Sequence, residues 1–434
     1  MLGLALVLLC ACEEAPVTLE VHDVVLGRDG TLTIVGLTAG PALADAGLDA
    51  GVDSGVVVVP DAGPEAEPGV WVSRAAADGT EQWRVLVSDT ARAPVHAAET
   101  VTERVVIAFG SSYAALTANG ELLWQRSLAM AANPVTLTAV APLDEGGALI
   151  VGHALPMAAT ATDLVLLAVD SDGWALRRRV LRPGFVASRV LRRPSASGFL
   201  IVGAGLEESG DVHVAAVAAD GALEWYGTVG TPVDDRVTAA VVTRAGGLLV
   251  AATTGPVGGE VDLLVAELGP AGELRWHAVL EARGNEVPGA ILESDGYVTV
   301  ASAADGFGGD QGDPDVWLVS FDGSGAVRDQ RAVGGGGRER PLALTEGRDG
   351  LQIIVAVEDA VTHWTLPSPD VVGARSVEGA CGQERTTGAL LRAEALGGAM
   401  LDGATEALAD TDLPITAVEP DTRRPPPAPA AVCR

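Results

Sequence analysis

Nearly continuous apolar runs recur along the chain, separated by short polar turns. VVIAFG from Val105, LIVGHAL from Leu149, FLIVGAG from Phe199, LLVAATT from Leu248, YVTVASA from Tyr297 and LQIIVAV from Leu351 are built from Val, Ile, Leu, Ala and Gly, and TLTIVGL from Thr31 is an earlier member. Runs this short and this uniformly apolar predict strands buried on both faces, each needing a sheet on either side. A further strand follows, as in GVWVSRA, DLVLLAV, DVHVAAV, VDLLVAE and DVWLVSF, and then a turn. The pairs Asp78-Gly79, Asn119-Gly120, Asp172-Gly173 and Asp220-Gly221 predict two-residue hairpins, where positive φ favours Gly or Asn.

The turns repeat with a tryptophan four places after the glycine: Gly79 with Trp83, Gly120 with Trp124, Gly221 with Trp225 and Gly272 with Trp276. The turns at Gly173 and Gly325 keep the position but carry Arg177 and Asp329 in its place. Successive glycines lie 41, 53, 48, 51 and 53 residues apart, a period that belongs to repeat architectures. With the segment ahead of each apolar run as a first strand, every period supplies four antiparallel strands, which is one blade of a β-propeller. The predicted fold is therefore all-β, a propeller over residues 17–379. Counting by buried runs gives seven blades, with six or eight as the alternatives. The expected blades are 17–88, 93–129, 135–182, 186–230, 236–281, 287–333 and 340–379. An open solenoid fits less well, because its repeats are shorter and carry fewer strands.

Two segments break the rhythm. Residues 40–68 contain ADAGLDAGVDSG and DAGPEAEPG, a low-complexity insertion expected to be a solvated loop of the first blade. Residues 380–434 form a tail with an expected hairpin around Leu390 to Leu401 and the ending RRPPPAPAAVCR, whose prolines favour extended polyproline conformation. Such a tail could latch the last blade.

Charge and the N-terminus add a location. All 28 basic side chains are arginine, against 58 acidic ones, for a net charge of −30. Nucleic-acid binding needs clustered positive charge, so such a chain is not expected to bind it. Residues 2–9 are an apolar run too short to span a bilayer but of signal-core length. The alternative is an apolar strand that is never exported. Leu9-Cys10-Ala11-Cys12 resembles a bacterial lipobox, which implies a signal peptide over residues 1–11, a lipidated Cys12 and a short tether over 12–16. No Lys or Arg precedes the apolar run, a departure from the usual signal. The product would be exported and anchored in the cell envelope, at the outer membrane or cell surface, touching the membrane only through its lipid. Cys381 and Cys433 would remain in an oxidising compartment, where pairing would add roughly 4 kcal/mol by the chain-entropy model.

The blade formula, as in PDVWLVSFDGSG and GGLLVAATT, resembles the β-propeller repeats of bacterial secreted and lipid-anchored envelope proteins. YAALTANGELLW, residues 113–124, resembles the tryptophan-docking motif of quinoprotein propellers and of their non-enzymatic relatives in outer-membrane barrel assembly. That resemblance makes Gly79, Gly120, Gly221 and Gly272 turn residues, and Trp83, Trp124, Trp225 and Trp276 packing residues between blades. The bottom-up reading agrees, since an aromatic at one fixed place in successive sheets fills the wedge between them.

Catalytic templates are missing: there is no HExxH, GxSxG or P-loop, and no adjacent cysteine pair as in quinone-dependent dehydrogenases. His22, His96, His153, His213, His277 and His363 are scattered without short ligand spacing. The loop DGFGGDQGDPD places Asp310, Asp313 and Asp315 as hard oxygen donors for Ca²⁺, although an acidic interstrand loop is the preferred reading. No other cofactor is expected. The function expected is a non-enzymatic binding or scaffolding module for a protein or glycan partner. The alternative is an enzyme, either a degenerate quinoprotein or a carbohydrate-active propeller.

Overall fold

In the computed structural model the apolar runs are the second strands of seven antiparallel sheets, each built on consecutive strands, with a strand of the tail added at the outer edge of three. The structure describes residues 18–27, 31–39, 56–58, 69–76, 81–88, 95–128, 135–154, 162–181, 185–194, 198–205, 210–282, 284–305, 314–334, 338–347, 350–357, 360–366, 383–386, 390–392 and 415–417. Cys12, Gly79, Asp310, Asp313, Cys381 and Cys433 lie outside these residues. No helix occurs among the described residues.

Blade 1 comprises Thr18–Leu26, Leu32–Ala39, Gly69–Ala75 and Glu81–Ser88; blade 2 comprises Val95–Glu99, Val105–Phe109, Ser112–Leu116 and Leu122–Leu128. Blade 3 runs from Val135–Pro142 to Ala175–Leu181, blade 4 from Val186–Arg192 to Leu223–Val229, blade 5 from Asp234–Val242 to Leu274–Glu281 and blade 6 from Glu286–Ser294 to Val327–Gly334. Blade 7 shows three strands, Glu339–Gly347, Gly350–Val357 and Ala360–Leu366.

First strands of neighbouring blades touch all the way round, and the first strand of blade 7 meets that of blade 1, so these strands line a common axis. The Arg340 guanidinium donates across this closure to the Val21 carbonyl at 3.2 Å, and Ala356 packs on Val21. The core is divided among the junctions: one cluster joins blades 1 and 2 around Val105 and Ile107, the next joins blades 2 and 3, and so on to blades 6 and 7. This explains the uniformly apolar second strands. Ile150 and Val151 face opposite sides and each enters a different interblade core, so neither position tolerates a polar residue; burying each such side chain stabilises by about 1.5–3 kcal/mol.

The hairpins between third and fourth strands are longer than the two residues expected. In blade 2 the Gly120 amide donates to the Thr117 carbonyl and the Thr117 amide to the Glu121 carbonyl, with φ of +80° at Gly120 alone. The loop is thus three residues, a type I turn closed by a glycine in the left-handed region. Blades 3, 4, 5 and 6 repeat it at Gly173, Gly221, Gly272 and Gly325. Asn119, Asp172 and Asp220 keep negative φ; they serve the type I part of the turn, which is why Asn or Asp beside Gly gave no two-residue loop.

Two further departures concern the irregular segments. Val56–Val58, inside the insertion, pairs with Thr18–Glu20 at the axial edge of blade 1. In the tail, Leu390–Arg392 pairs with the outer strand of blade 5, and the rest of the hairpin expected around Leu390 to Leu401 lies outside the described residues. Gln383–Thr386 pairs with the outer strand of blade 6, and Ile415–Ala417 with that of blade 2.

Candidate functional site at the axis and the blade junctions

In six blades the first strand skips one residue in its pairing with the second: His22, Thr138, Ser188, Thr238, Gly289 and Leu342. Blade 2 pairs without a skip. A bulge at a fixed place re-aims the residue that follows it. That residue is Ala139, Ala239, Ala290 and Ala343 in four blades, but Asp23 in blade 1 and Arg189 in blade 4.

Asp23 and Arg189 converge on His96, in the first strand of blade 2. Asp23 Oδ1 accepts the Val24 amide at 3.0 Å and Oδ2 the Ala97 amide at 3.1 Å. His96 Nδ1 lies 3.6 Å from Asp23 Oδ2 and 3.4 Å from Arg189 Nη1. Burial works to raise the Asp23 carboxyl, but the contact with His96 and the charge of Arg189 outweigh it and hold the group below the usual carboxylate range. Burial pushes His96 below its ordinary value, against the pull of Asp23. The result is a carboxylate and a guanidinium flanking a neutral imidazole, a charge-balanced clamp that ties blades 1, 2 and 4 together. An Asp–His pair can also act as a base, but among the described residues no hydroxyl is hydrogen-bonded to His96.

At the periphery each repeated tryptophan serves the next blade. The Trp83 ring covers Gly120, Trp124 covers Gly173, Trp225 covers Gly272 and Trp276 covers Gly325; a Cβ added to any of these glycines would lie 2.6–2.9 Å from the ring. The indole N–H of Trp83 donates to the Ala118 carbonyl at 2.7 Å, that of Trp124 to Ser171 at 2.9 Å and that of Trp225 to Pro270 at 3.0 Å, always two residues before the glycine. Trp276 keeps the stacking but donates to Glu267 Oε2 of its own blade at 2.6 Å. Gly221 is covered by the Arg179 stem instead.

A third set sits where one blade's third strand meets the next blade's first. The amides of Asp235, Glu286 and Glu339 donate to the carbonyls of Gly210, Val261 and Pro314, each immediately before an aspartate: Asp211, Asp262 and Asp315. Asp235, Glu286 and Glu339 are all buried. They occupy the register position that is Val135 in blade 3 and Phe185 in blade 4, three residues before the skip. Burial pushes Glu286 up to about 8, with Asp262, Asp305 and Glu281 adding to it against the Ala282 amide. Asp235 rises to about 6 through burial, although it accepts the Thr231 amide at 2.6 Å. Asp315, the described member of the expected calcium set, belongs to this series. Among the described residues no three His, Cys, Asp or Glu side chains are grouped to hold a metal ion.

Neither the axial clamp nor the buried acids emerged from sequence reasoning. The short acid-led first strands, DDRVTAA, EVPGA and ERPLA, carried a signal for the acids, but one visible only once their register is known. His213 serves packing: its Nδ1 bonds the Tyr226 hydroxyl and its ring stacks on Phe185 with ring centroids 5.5 Å apart.

Seven sheets closed around one axis by their first strands, with indoles docked between blades, define a seven-bladed β-propeller. No family model and no curated protein matches the chain. Among solved structures it is similar to Sqt1 from Chaetomium thermophilum, with a TM-score of 0.44, 10% identity and coverage of 82% of this chain and 87% of that one. It is similar to the WD40 domain of Neurospora crassa Pan2, with a TM-score of 0.40, 10% identity and coverage of 62% and 88%. Puromycin hydrolase gives a TM-score of 0.47 and 16% identity over 78% of this chain and 50% of that one.

Proposed function

We propose that this propeller is a lipid-anchored binding or scaffolding module of the cell envelope, without catalytic activity, that engages a protein or glycan partner. The observation that carries the reading is the axial clamp. Asp23, His96 and Arg189, the polar groups that a catalytic propeller would turn toward a substrate, face one another and neighbouring amides across three blades. The anchor rests on the lipobox-like Leu9-Cys10-Ala11-Cys12 and on the resemblance to envelope lipoprotein repeats.

The test has two arms. Cells fed an alkyne fatty acid should label the wild-type chain and not Cys12→Ser, and only the wild type should sediment with membranes. The purified protein should show no quinone-dependent dye reduction and no glycan hydrolysis. Turnover abolished by Asp23→Asn or His96→Ala would replace the module with an enzyme built on the Asp23–His96 pair.

A further inference from the structure

We propose that the junction between blades 3 and 4 is a docking slot for an acidic peptide segment of a partner protein, whose tryptophan fills the place of the indole missing there. This deepens the binding-module reading and rests on it.

Five junctions have their turn glycine among the described residues, and four hold a tryptophan over it. The exception is Gly221. By register Arg177, opposite Ala168, stands where Trp124 stands opposite Ala115 and Trp225 opposite Ala216. A small cleft of about 20 Å³ lies at this junction, walled by Leu143, Leu149, Leu166, Ala168 and Phe199, bounded by Ala219 and Gly221, and crossed by Arg177, Arg179 and Asp220. The Ala219 carbonyl lies two residues before the glycine, the place from which Ala118, Ser171 and Pro270 accept an indole N–H at the other junctions. With the Arg179 stem swung off Gly221, the apolar wall and the carbonyl at that position offer an indole the same stacking and hydrogen bond that it has at the other junctions.

The charge at the mouth selects the neighbouring residues of the ligand. Residues 173–206 contain seven of the 28 arginines and no acidic residue, in a chain of net charge −30; Arg189 belongs to the axial clamp and Arg182 lies outside the described residues, and Arg177, Arg179, Arg192 and Arg193 are the ones that matter here. Around the slot Arg192 pairs with Asp144, Arg193 with Glu224, and Arg179 with Asp220 at 3.5 Å. Arg177 is exposed at the mouth, where its charge acts on Asp220, and it makes no direct salt bridge among the described residues. The Arg179 stem lies over Gly221, but its ion pair with Asp220 is solvent-exposed and therefore weak, so an incoming ring displaces it at little cost. A carboxylate beside the tryptophan of the ligand would complete Arg177.

The experiment uses the detergent-solubilised full chain and a fluorescein-labelled synthetic peptide of glutamate and glycine carrying one tryptophan, followed by fluorescence anisotropy. Saturable binding is expected, weakened about tenfold or more when serine replaces the tryptophan or glutamine replaces the glutamates. Arg177→Ala should weaken it about fivefold, and more weakly at high salt. Arg177→Trp should supply the missing indole, abolish binding and raise the melting temperature. Absence of saturable binding, equal binding of the serine peptide, or unchanged binding by both variants overturns the proposal. So does binding to phosphatidylglycerol vesicles in place of the peptide. The assay needs neither the anchor nor a native partner, so its failure leaves the lipid-labelling and turnover tests intact.

Discussion

The Trp124 indole lies flat on Gly173 of the next blade and donates its N–H to the Ser171 carbonyl at 2.9 Å. Gly173 has a φ of +79°, and a Cβ there would sit 2.7 Å from the ring. Two costs are therefore combined at one residue, backbone strain and a clash. Gly258, with a φ of +75° and nothing within 4 Å of an added Cβ, carries the first cost alone. Gly258→Ala should lower stability by about 1–2 kcal/mol. Gly173→Ala should cost about 2–4 kcal/mol, and Trp124→Ala about 3–5 kcal/mol, because the latter leaves a cavity in the core shared by blades 2 and 3. Urea unfolding of the three variants checks the ranking; equal losses for the two glycine variants would show that the dock contributes nothing.

Glu286 should make the protein less stable as pH rises. Its folded value of about 8 lies above the unfolded one, so the proton is held more tightly in the folded state. The resulting stabilisation is complete below pH of about 4.3 and declines as pH rises toward the folded value. Glu286→Gln keeps the neutral shape and removes the titration, so it should flatten the melting-temperature profile between pH 5 and 8 and raise stability at the alkaline end, where about pH 8 marks the folded transition. A variant with the wild-type slope would show that Glu286 ionises freely in the fold.

The axial clamp predicts the opposite limb. Asp23 is held below its ordinary value, so its contribution is present above the unfolded value of about 3.9 and is lost as pH falls through the folded one. Asp23→Asn should cost about 1–3 kcal/mol at neutral pH, since the Ala97 amide, His96 and Arg189 all lose a carboxylate. The gap between variant and wild type should narrow below pH of about 4 in denaturant titrations. His96 contributes in the same direction, because the unfolded chain takes up its proton near pH 6.5 while the folded imidazole stays neutral to lower pH.

The tail strands predict a protection pattern. Val279, Leu280 and Glu281 pair with Arg392, Leu391 and Leu390, and Arg331 to Gly334 pair with Thr386 to Gln383. Deleting residues 380–434 should speed amide exchange in the outer strands of blades 5 and 6, while the axial strand Val95–Glu99 is unaffected. Unchanged exchange in the outer strands would remove the tail from the sheets.

Much of the architecture is local and hence readable from residues in order. A strand sandwiched between two sheets must be apolar on both faces, so LLVAATT announces itself; a glycine needed at positive φ marks each turn, and an indole at constant spacing marks the repeat. Turn length is not legible in the same way, because Asn-Gly satisfies a two-residue and a three-residue loop alike, and only the bond from Gly120 to Thr117 separates them.

The periodic spacing thus determined strands, blade order and the ring itself, since each depends on short-range pattern. Closure decided the rest. Only a ring brings Asp23, His96 and Arg189, spread over 167 positions from first to last in numbering, to one axis. Only it sets each indole on the following blade's glycine rather than its own, and leaves the Gly221 junction without one. These contacts join strands whose sequences carry no mark of one another, because their proximity is created by the packing of whole sheets and not by any neighbouring residue.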